Sequence, residues 1–438
     1  MFCFFGRRWA AKRFMPFGVT GFFAGILTLL ALLRAGQGGS PQGQGSLQAS
    51  FSGPTVVDAG SYPSLQAAVD AVPGSGGVVR IPPGIFRLEK PVVINRSNVR
   101  LEGSGPATVL VNHSTAGEPS LIVCPPEAEK SPKTRLWRVE ITGLRILGDP
   151  AAIDDKSGQP TSGHGIWAQN VNEIFIHGVT VDHHGGHGIY LFNCYENPRI
   201  IGCNLTYNRG SGIHIEGGHD IVVSGNQLEE NGTALQCLDG FNLCMTGNNI
   251  DDHLGHGVVV ENTYGSVISG NMIEECQGAA IVLNRDCYGI TVSANVVAHN
   301  FGGGVHLLDA WGCAVSANTF VLNRKDSVYI GPESGRITVS SNSFCDSFVG
   351  GGTRRAEPDN SAGGIRLEGT TDISITGNQF SGLDGPAVVA DAQCRGILLT
   401  GNVVREVNRR VAEPRPAFEL PQAPGICKVN NLVDGVQE

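Results

Sequence analysis

The chain has 438 residues, of which 61 are Gly, about twice the usual share of ~7%. There is no three-residue Gly period, and with 16% charged and 41% hydrophobic residues the composition fits a β-rich chain full of tight turns, not a collagen-like or disordered one. The net charge of −9 argues against nucleic acid as a partner, because a non-specific nucleic-acid binder is normally basic.

The amino terminus reads as a targeting segment. Arg7, Arg8, Lys12 and Arg13 precede an uncharged run over 15–33. At ~1.5 Å per residue this run spans roughly 28 Å, about enough to cross a bilayer. The positive cluster should stay in the cytoplasm, so the rest of the chain is predicted to be exported. Leu33 and Arg34 stand where a signal peptidase prefers small residues, which favours an uncleaved anchor over a cleaved signal. On this reading 1–35 is a cytoplasmic n-region with a membrane anchor or signal segment, and 36–53 is a flexible linker. The protein is then held at the inner membrane of the cell envelope, or is periplasmic or secreted.

Next comes "YPSLQAAVDAVPGSGGVVRIPPG" from 62. Ser64 can N-cap a short helix whose Leu65, Ala68, Val69 and Val72 share one face. From about 187 onward two phrases alternate. One is "HGIYLF", "GIHIE", "HGVVVE" or "GGIRLEG"; the other, a dozen residues later, is "SGN", "TGN", "SAN" or "SSN". The closing Asn falls at 204, 226, 248, 271, 295, 318, 342, 378 and 402, with steps of 22–24 apart from one of 36. Such a period with short alternating apolar runs predicts one solenoid coil per repeat. In the coil 210–232 ("GSGIHIEGGHDIVVSGNQLEENG"), Ile213, Ile215, Ile221, Val223 and Leu228 point inward, and His214 and Glu216 outward. The Asn is expected to tolerate the left-handed backbone of a sharp turn and to bond to the next coil.

The predicted fold is all-β: a parallel β-helix of three sheets and about a dozen coils over 54–405, its open end covered by the short amino-terminal helix. Three stretches interrupt the period, at 124–138, 149–163 and 345–362; the last two are predicted to rise beside the first sheet. The Pro-rich 406–438 reads as a carboxy-terminal cap or tail. Twelve Cys leave eleven outside the membrane segment, an odd number without a C-x-x-C pair, and most read as small apolar core fillers.

The repeat phrases resemble those of the right-handed parallel β-helix of the pectate-lyase superfamily. The stretch 62–111 resembles the start of rhamnogalacturonase- and epimerase-like pectate-lyase domains. The resemblance implies that the outer face of the first sheet carries the substrate. Trp167, Gln169, Tyr190, Phe192, His214, Glu216, Gln236, Glu261, His306, Tyr329 and Arg366 are predicted to point outward there. Aromatics beside acids, amides and imidazoles suit a glycan groove. His214 and Tyr190 are assigned as base and acid for proton abstraction from a uronate, with Glu216 and Glu261 as the acid and base of a hydrolase instead. Trp167, Gln169, Phe192, Gln236, His306, Tyr329 and Arg366 are assigned to substrate binding.

The resemblance also brings a divalent cation, calcium, as a candidate cofactor. Glu216 and Glu261 lie two coils apart, which is sparse for such a site. His164 and His187 share one coil position and, with Asp182, form a weaker metal candidate; a polar turn role is the simpler reading, and no metal ligand is assigned. The polygalacturonase pattern is absent, because its Asp positions hold His164, His187 and Ser211. The leading functional expectation is a lyase or C5-epimerase acting on an acidic polysaccharide. A non-catalytic glycan-binding or surface scaffold and a glycoside hydrolase are the alternatives; a metal-maturation partner rests on the histidines alone.

Overall fold

The computed structural model describes residues 55–437, apart from 129, 130, 132, 149–162, 347–360 and 414. The predicted anchor and linker, and most of the two insertions beside the first sheet, lie outside the described residues. Among the described residues no helix is long and apolar enough to cross a membrane.

Ser64 caps the helix Leu65–Asp70, its Oγ accepting from the Ala67 N–H at 3.1 Å. Leu65, Ala68, Val69 and Val72 are buried, so the helix lays its apolar stripe on the end of the core. The rest is a right-handed parallel β-solenoid. Three sheets run its length, of 13, 17 and 15 strands among the described residues. The first sheet begins at Val92–Ile94 and ends at Phe418–Glu419, one strand per coil.

Inside, like packs on like. Ile213, Ile215, Ile221, Val223 and Leu228 are all buried. Parallel pairing sets Ile215 beside Cys237, Val223 beside Met245 and Leu228 beside Ile250. Phe320, Phe344 and Phe380 form a stack in the core with centroids 4.8 and 4.7 Å apart. Each such side chain contributes roughly 1.5–3 kcal/mol by leaving water, and each coil repeats the arrangement. The eleven cysteines among the described residues are free thiols; Cys194, Cys203, Cys237, Cys276, Cys287, Cys313 and Cys394 are buried fillers, whereas Cys244 and Cys427 are exposed.

The Asn column stands between the second and third sheets. Asn271 Oδ1 accepts from the backbone and side-chain N–H groups of Asn248, at 3.0 and 2.9 Å. Asn271 Nδ2 donates to Asn295 Oδ1 at 2.9 Å and to the Met245 carbonyl at 3.3 Å. The same pattern repeats to Asn431, which Asn402 contacts at 2.9 Å.

Two expectations about this column need correction. Asn204 is not in it: Cys203 holds the ladder position, its N–H donating to Asn226 Oδ1, and Asn204 is exposed at a strand start. Nor do the ladder asparagines take the left-handed backbone. The residue before each one does, as with Gly225 at φ 63° and Gly247 at φ 64°, or Ala294 and Ala317 where the phrase reads "SAN". The sharp turn therefore falls to the small residue, and Asn supplies only the bonds.

A second ladder lies between the third and first sheets. Asn208 donates to Asn231 Oδ1 at 2.9 Å, and the Asn231 N–H donates to His253 Nδ1 at 3.1 Å. Asn300 and Asn323 continue it at 3.0 Å. His184 opens it, its own N–H donating to Asn208 Oδ1. Two fully buried histidines thus stand in an amide column.

The parallel pairing also continues past 405. Phe418–Glu419, Ile426–Val429 and Leu432–Val433 add a thirteenth coil, and an antiparallel hairpin with Val436–Gln437 closes the third sheet. The Pro-rich segment set aside as a cap or tail therefore carries the first-sheet strand of that coil. Pro416, Pro421 and Pro424 flank the paired residues, where no ladder N–H is required.

Asn271→Ala should lower stability by roughly 1–3 kcal/mol, since two neighbouring coils lose buried partners. Asn204→Ala, on the exposed strand start, should change it by less than about half as much; equal shifts of the denaturation midpoint would break the ladder assignment. Burial pushes His184 and His253 down to about 4. The unfolded chain, with pKa ~6.5, therefore binds these protons first on acidification. Stability present above ~6.5 is lost as pH falls toward about 4, by about 3 kcal/mol for each of the two residues. His253→Asn, which continues the amide column, should shrink the drop in Tm between about pH 7 and about pH 4.5. An unchanged drop would show that this imidazole is not the acid-sensitive rung.

Candidate active site

Strand register gathers the predicted site residues into two columns. Trp167, Tyr190, His214 and Gln236 are successive partners in one column, which continues through Val259 and Val282 to His306, Tyr329 and Arg366. Two residues further along each strand lie Gln169, Phe192, Glu216, Leu238 and Glu261. All eleven predicted residues share one face, but they do not form one continuous polar groove. Val259, Ala279 and Val282 are buried in a small apolar cluster with Leu308 packed on it. This cluster divides the face, and the sequence reading passes over its two valines.

The amino-terminal half is an imidazole stack. His164 and His187 lie with centroids 5.1 Å apart and planes 8° apart; His187 and His214 lie 4.3 Å apart at 22°. Tyr190 stands edge-on to all three, 4.7 Å from His214. The first two rings serve the backbone. His164 Nδ1 accepts from the His187 N–H at 2.9 Å, and His187 Nδ1 accepts from the Ser211 N–H at 2.8 Å. His256 does the same for Ala279 three coils on. The proton of each neutral ring is therefore on Nε2, and Nδ1 is taken. Burial pushes His187 down to about 3, helped by His214 and His164, and lowers His164 in the same way. Asp182 accepts from Arg145 at 2.9 and 2.6 Å and from His183 at 2.7 Å. A metal on His164, His187 and Asp182 thus finds no free donor set.

His214 differs. Its Nδ1 lies 3.1 Å from Gln236 Oε1, which also accepts from Ser211 Oγ at 2.8 Å. An amide oxygen only accepts, so His214 carries its proton on Nδ1. Its Nε2 has no hydrogen-bond partner among the described residues. Burial lowers the pKa of His214, against the opposing pull of Gln236 and Glu216. The ring is therefore neutral at neutral pH with one lone pair to offer. Tyr190 donates its hydroxyl to Glu216 Oε2 at 2.9 Å, and burial together with that bond pushes it up to about 12. It holds its proton and can act only as an acid.

The carboxy-terminal half repeats the Tyr-to-Glu bond. Tyr329 donates to Glu368 Oε2 at 2.8 Å, and burial with that bond pushes it up to about 12. His306 stands 5.6 Å from Tyr329 and is pushed down to about 4 by burial. Arg366 Nε donates to Asp326 at 2.9 Å, and Arg285 binds Glu261 at 2.7 Å. Sequence reasoning missed Arg285 and Asp326. Both sit in turns between strands, where no periodic signal marks a direction. Ser211, at a position where the polygalacturonase pattern has Asp, sets its hydroxyl on Gln236 of the next coil, a contact that only the pairing of coils reveals.

Calcium does not fit the two predicted acids. Leu238 stands between Glu216 and Glu261 in their column, Glu216 is bonded to Tyr190, and Glu261 is paired with Arg285. Calcium needs six to eight converging oxygens.

Set against known proteins, the three-sheet coil is that of the parallel β-helix. The profile of the right handed beta helix region matches 164–320 and 285–410, together more than half of the sequence, and the chain belongs to that family. No curated protein matches. A solved structure of DFA-IIIase from Arthrobacter chlorophenolicus A6 is 15% identical, covering 85% of this chain and 100% of that one, with a TM-score of 0.56. The A-module of the mannuronan C-5 epimerase AlgE6 from Azotobacter vinelandii is 14% identical, covering 87% and 100%, with a TM-score of 0.50. The catalytic domain of Agl-KA is 14% identical over 81% and 64%, with a TM-score of 0.52. The chain spans only 62% of ORF18 of Geobacillus virus E2, at 15% identity over 78% of its own length and a TM-score of 0.47. At these identities the likeness is one of fold.

Proposed function

We propose that the chain is an exported polysaccharide-active β-helix, a lyase or C5-epimerase acting on a uronate-containing glycan. One observation carries this reading: the Gln236 contact leaves Nε2 of the largely buried His214 ring as a neutral proton acceptor, with the Tyr190 ring edge-on at 4.7 Å on the adjacent coil. His214 takes the proton from C5 of the uronate. In a lyase the C4–O bond then breaks, and Tyr190 gives its proton to the departing oxygen. In an epimerase Tyr190 returns a proton to the opposite face of C5. Either way the imidazolium releases its proton to solvent and the Tyr190 phenolate takes one up, which restores both groups. The single Tyr190 proton is donated to Glu216 before substrate binds and turns to the substrate in the reaction, and the Nε2–H groups of His164 and His187 supply neutral donors on the same face. An epimerase of mannuronan and a DFA-IIIase solved with GF2 share the fold, which supports a carbohydrate ligand.

The glycoside-hydrolase alternative asks Glu261 to act as acid or base, whereas its carboxylate is engaged by Arg285. A non-catalytic glycan-binding scaffold is favoured by how fully the polar groups of this face satisfy one another, as in the Tyr190–Glu216 and Tyr329–Glu368 bonds. The export reading rests on the charge pattern of 1–35.

A panel of acidic and neutral polysaccharides, read for unsaturated uronate absorbance, C5 inversion by NMR and new reducing ends, separates these readings. On the substrate so found, His214→Ala should lose at least ~100-fold in turnover while Glu261→Gln stays within a few-fold. The reverse order would point to hydrolysis, and glycan retention without any product to a scaffold. Because burial lowers His214, the acid limb of kcat/KM should fall below ~6.5. The full chain should fractionate with membranes; its recovery as a shortened, free protein would replace the anchor with a cleaved signal.

A further inference from the structure

Away from the first-sheet face, the turn between the first and second sheets holds a second set of ligand-type side chains. Glu196 and His219 sit at matching positions of successive coils, joined by an isolated parallel bridge, and Asp220 follows His219 in the left-handed backbone conformation, at φ 54°. One ligand atom from each of the three lies within 4.8 Å of the other two.

Three observations set this group apart from a chance cluster of surface acids. First, His219 Nδ1 is buried and makes no hydrogen bond, although Asp220 Oδ2 is only 3.0 Å away. The two atoms lie side by side without donor-to-acceptor geometry. A buried ring nitrogen left in that state costs about 1–3 kcal/mol unless something else satisfies it. Two donors ~2.1 Å from a common ion, at angles between square and tetrahedral, stand roughly 3.0–3.4 Å apart. The observed separation is an edge of such a polyhedron. Second, the ring is held in place. Tyr195 stacks on it at 5.3 Å and 14°, and Phe241 of the next coil flanks it at 6.4 Å. Third, the carboxylate is oriented from behind, because Asn242 Nδ2 donates to Asp220 Oδ1 at 3.0 Å. Such outer contacts characteristically position metal ligands. The same amide nitrogen is 3.5 Å from His219 Nε2, too far to fix the ring's proton on Nδ1.

We propose that Glu196, His219 and Asp220 bind a divalent first-row transition-metal cation through one imidazole nitrogen and two carboxylate groups, with water completing the coordination. The imidazole selects against calcium and magnesium, which take oxygen ligands. The ion ties two successive coils together at this turn. It lies apart from His214 and Tyr190 and takes no part in the chemistry proposed for them.

The test is calorimetric titration of the metal-free full-length protein with Zn2+, and separately with Ca2+, monitoring Tm in parallel. A Zn2+ site that raises Tm by mass action and is not matched by Ca2+ is expected. Glu196→Gln and His219→Ala should each weaken it more than ~10-fold, and Asn242→Ala by about 10-fold. His113→Ala, at an exposed histidine outside the group, should leave it unchanged. Co2+ in place of Zn2+ should give a spectrum without thiolate charge-transfer bands, which excludes binding at the exposed Cys244 and Cys427. If His219→Ala fails to fold, the near-isosteric Glu196→Gln still decides. Absence of a Zn2+ site in the unmodified protein, equal affinity for Ca2+, thiolate bands with Co2+, or unaltered affinity in the Glu196 and His219 variants would each overturn the proposal. None of these results bears on glycan turnover.

Discussion

Every feature of this molecule depends on the in-register parallel pairing of one coil with the next. A parallel strand cannot be closed by a tight hairpin, so each chain segment must travel round three turns before meeting its partner. The hydrogen bonds that make this profitable are partly side-chain bonds. Asn248, Asn271, Asn295 and their successors each accept two N–H groups from one neighbour and donate to the next. The buried turn would otherwise leave backbone N–H groups without partners, at a cost comparable to a lost hydrogen bond each. The ladder therefore sets the stagger of the coils, and the stagger sets which side chains become neighbours on the outside.

The outer face follows from that stagger. Because Tyr190, His214 and Gln236 are register partners, their side chains stand one coil apart, about 4.8 Å. At this spacing an imidazole can stack on an imidazole, a phenol can meet an acid on the next coil, and an amide can select a tautomer. The ring nitrogens divide their work accordingly. At His164, His187 and His256 the ring caps the sheet edge. At His214 it is turned by Gln236 and left with an unengaged nitrogen. One residue type thus has two physical roles on one face, decided by whether the next coil presents a backbone N–H or a side-chain carbonyl.

Burial makes these histidines chemically unlike free imidazole. His184, His253 and His306 are pushed down to about 4 and His187 to about 3, in each case chiefly by loss of solvent. Neutral imidazole can accept an N–H as an amide does, so His253 takes the place of Asn as acceptor for Asn231, while its buried Nε2 finds no hydrogen-bond partner among the described residues. The penalty appears only in acid, when the unfolded chain takes up protons that the folded chain refuses.

The sequence by itself determined the fold class, the coil period, the inward-facing Ile and Val positions and the capping helix. All of these rest on local periodicity and on residue types with narrow conformational preferences. It also placed all eleven site residues on one face, because alternation along a strand assigns direction without knowledge of neighbours. It misplaced Asn204 by one position, since Cys203 fills the ladder slot without the amide that marks it elsewhere. It stopped at 405, because the prolines on either side of Phe418–Glu419 hide the next coil. Only the tertiary structure decided which outward residues touch. The Gln236 contact that fixes the His214 tautomer, the Arg285 partner of Glu261, the apolar break at Val259 and Val282, and the convergence of Glu196 with His219 all join residues 22 to 24 positions apart. Such contacts depend on coil stagger and turn geometry, and neither is written in the local pattern of any one coil.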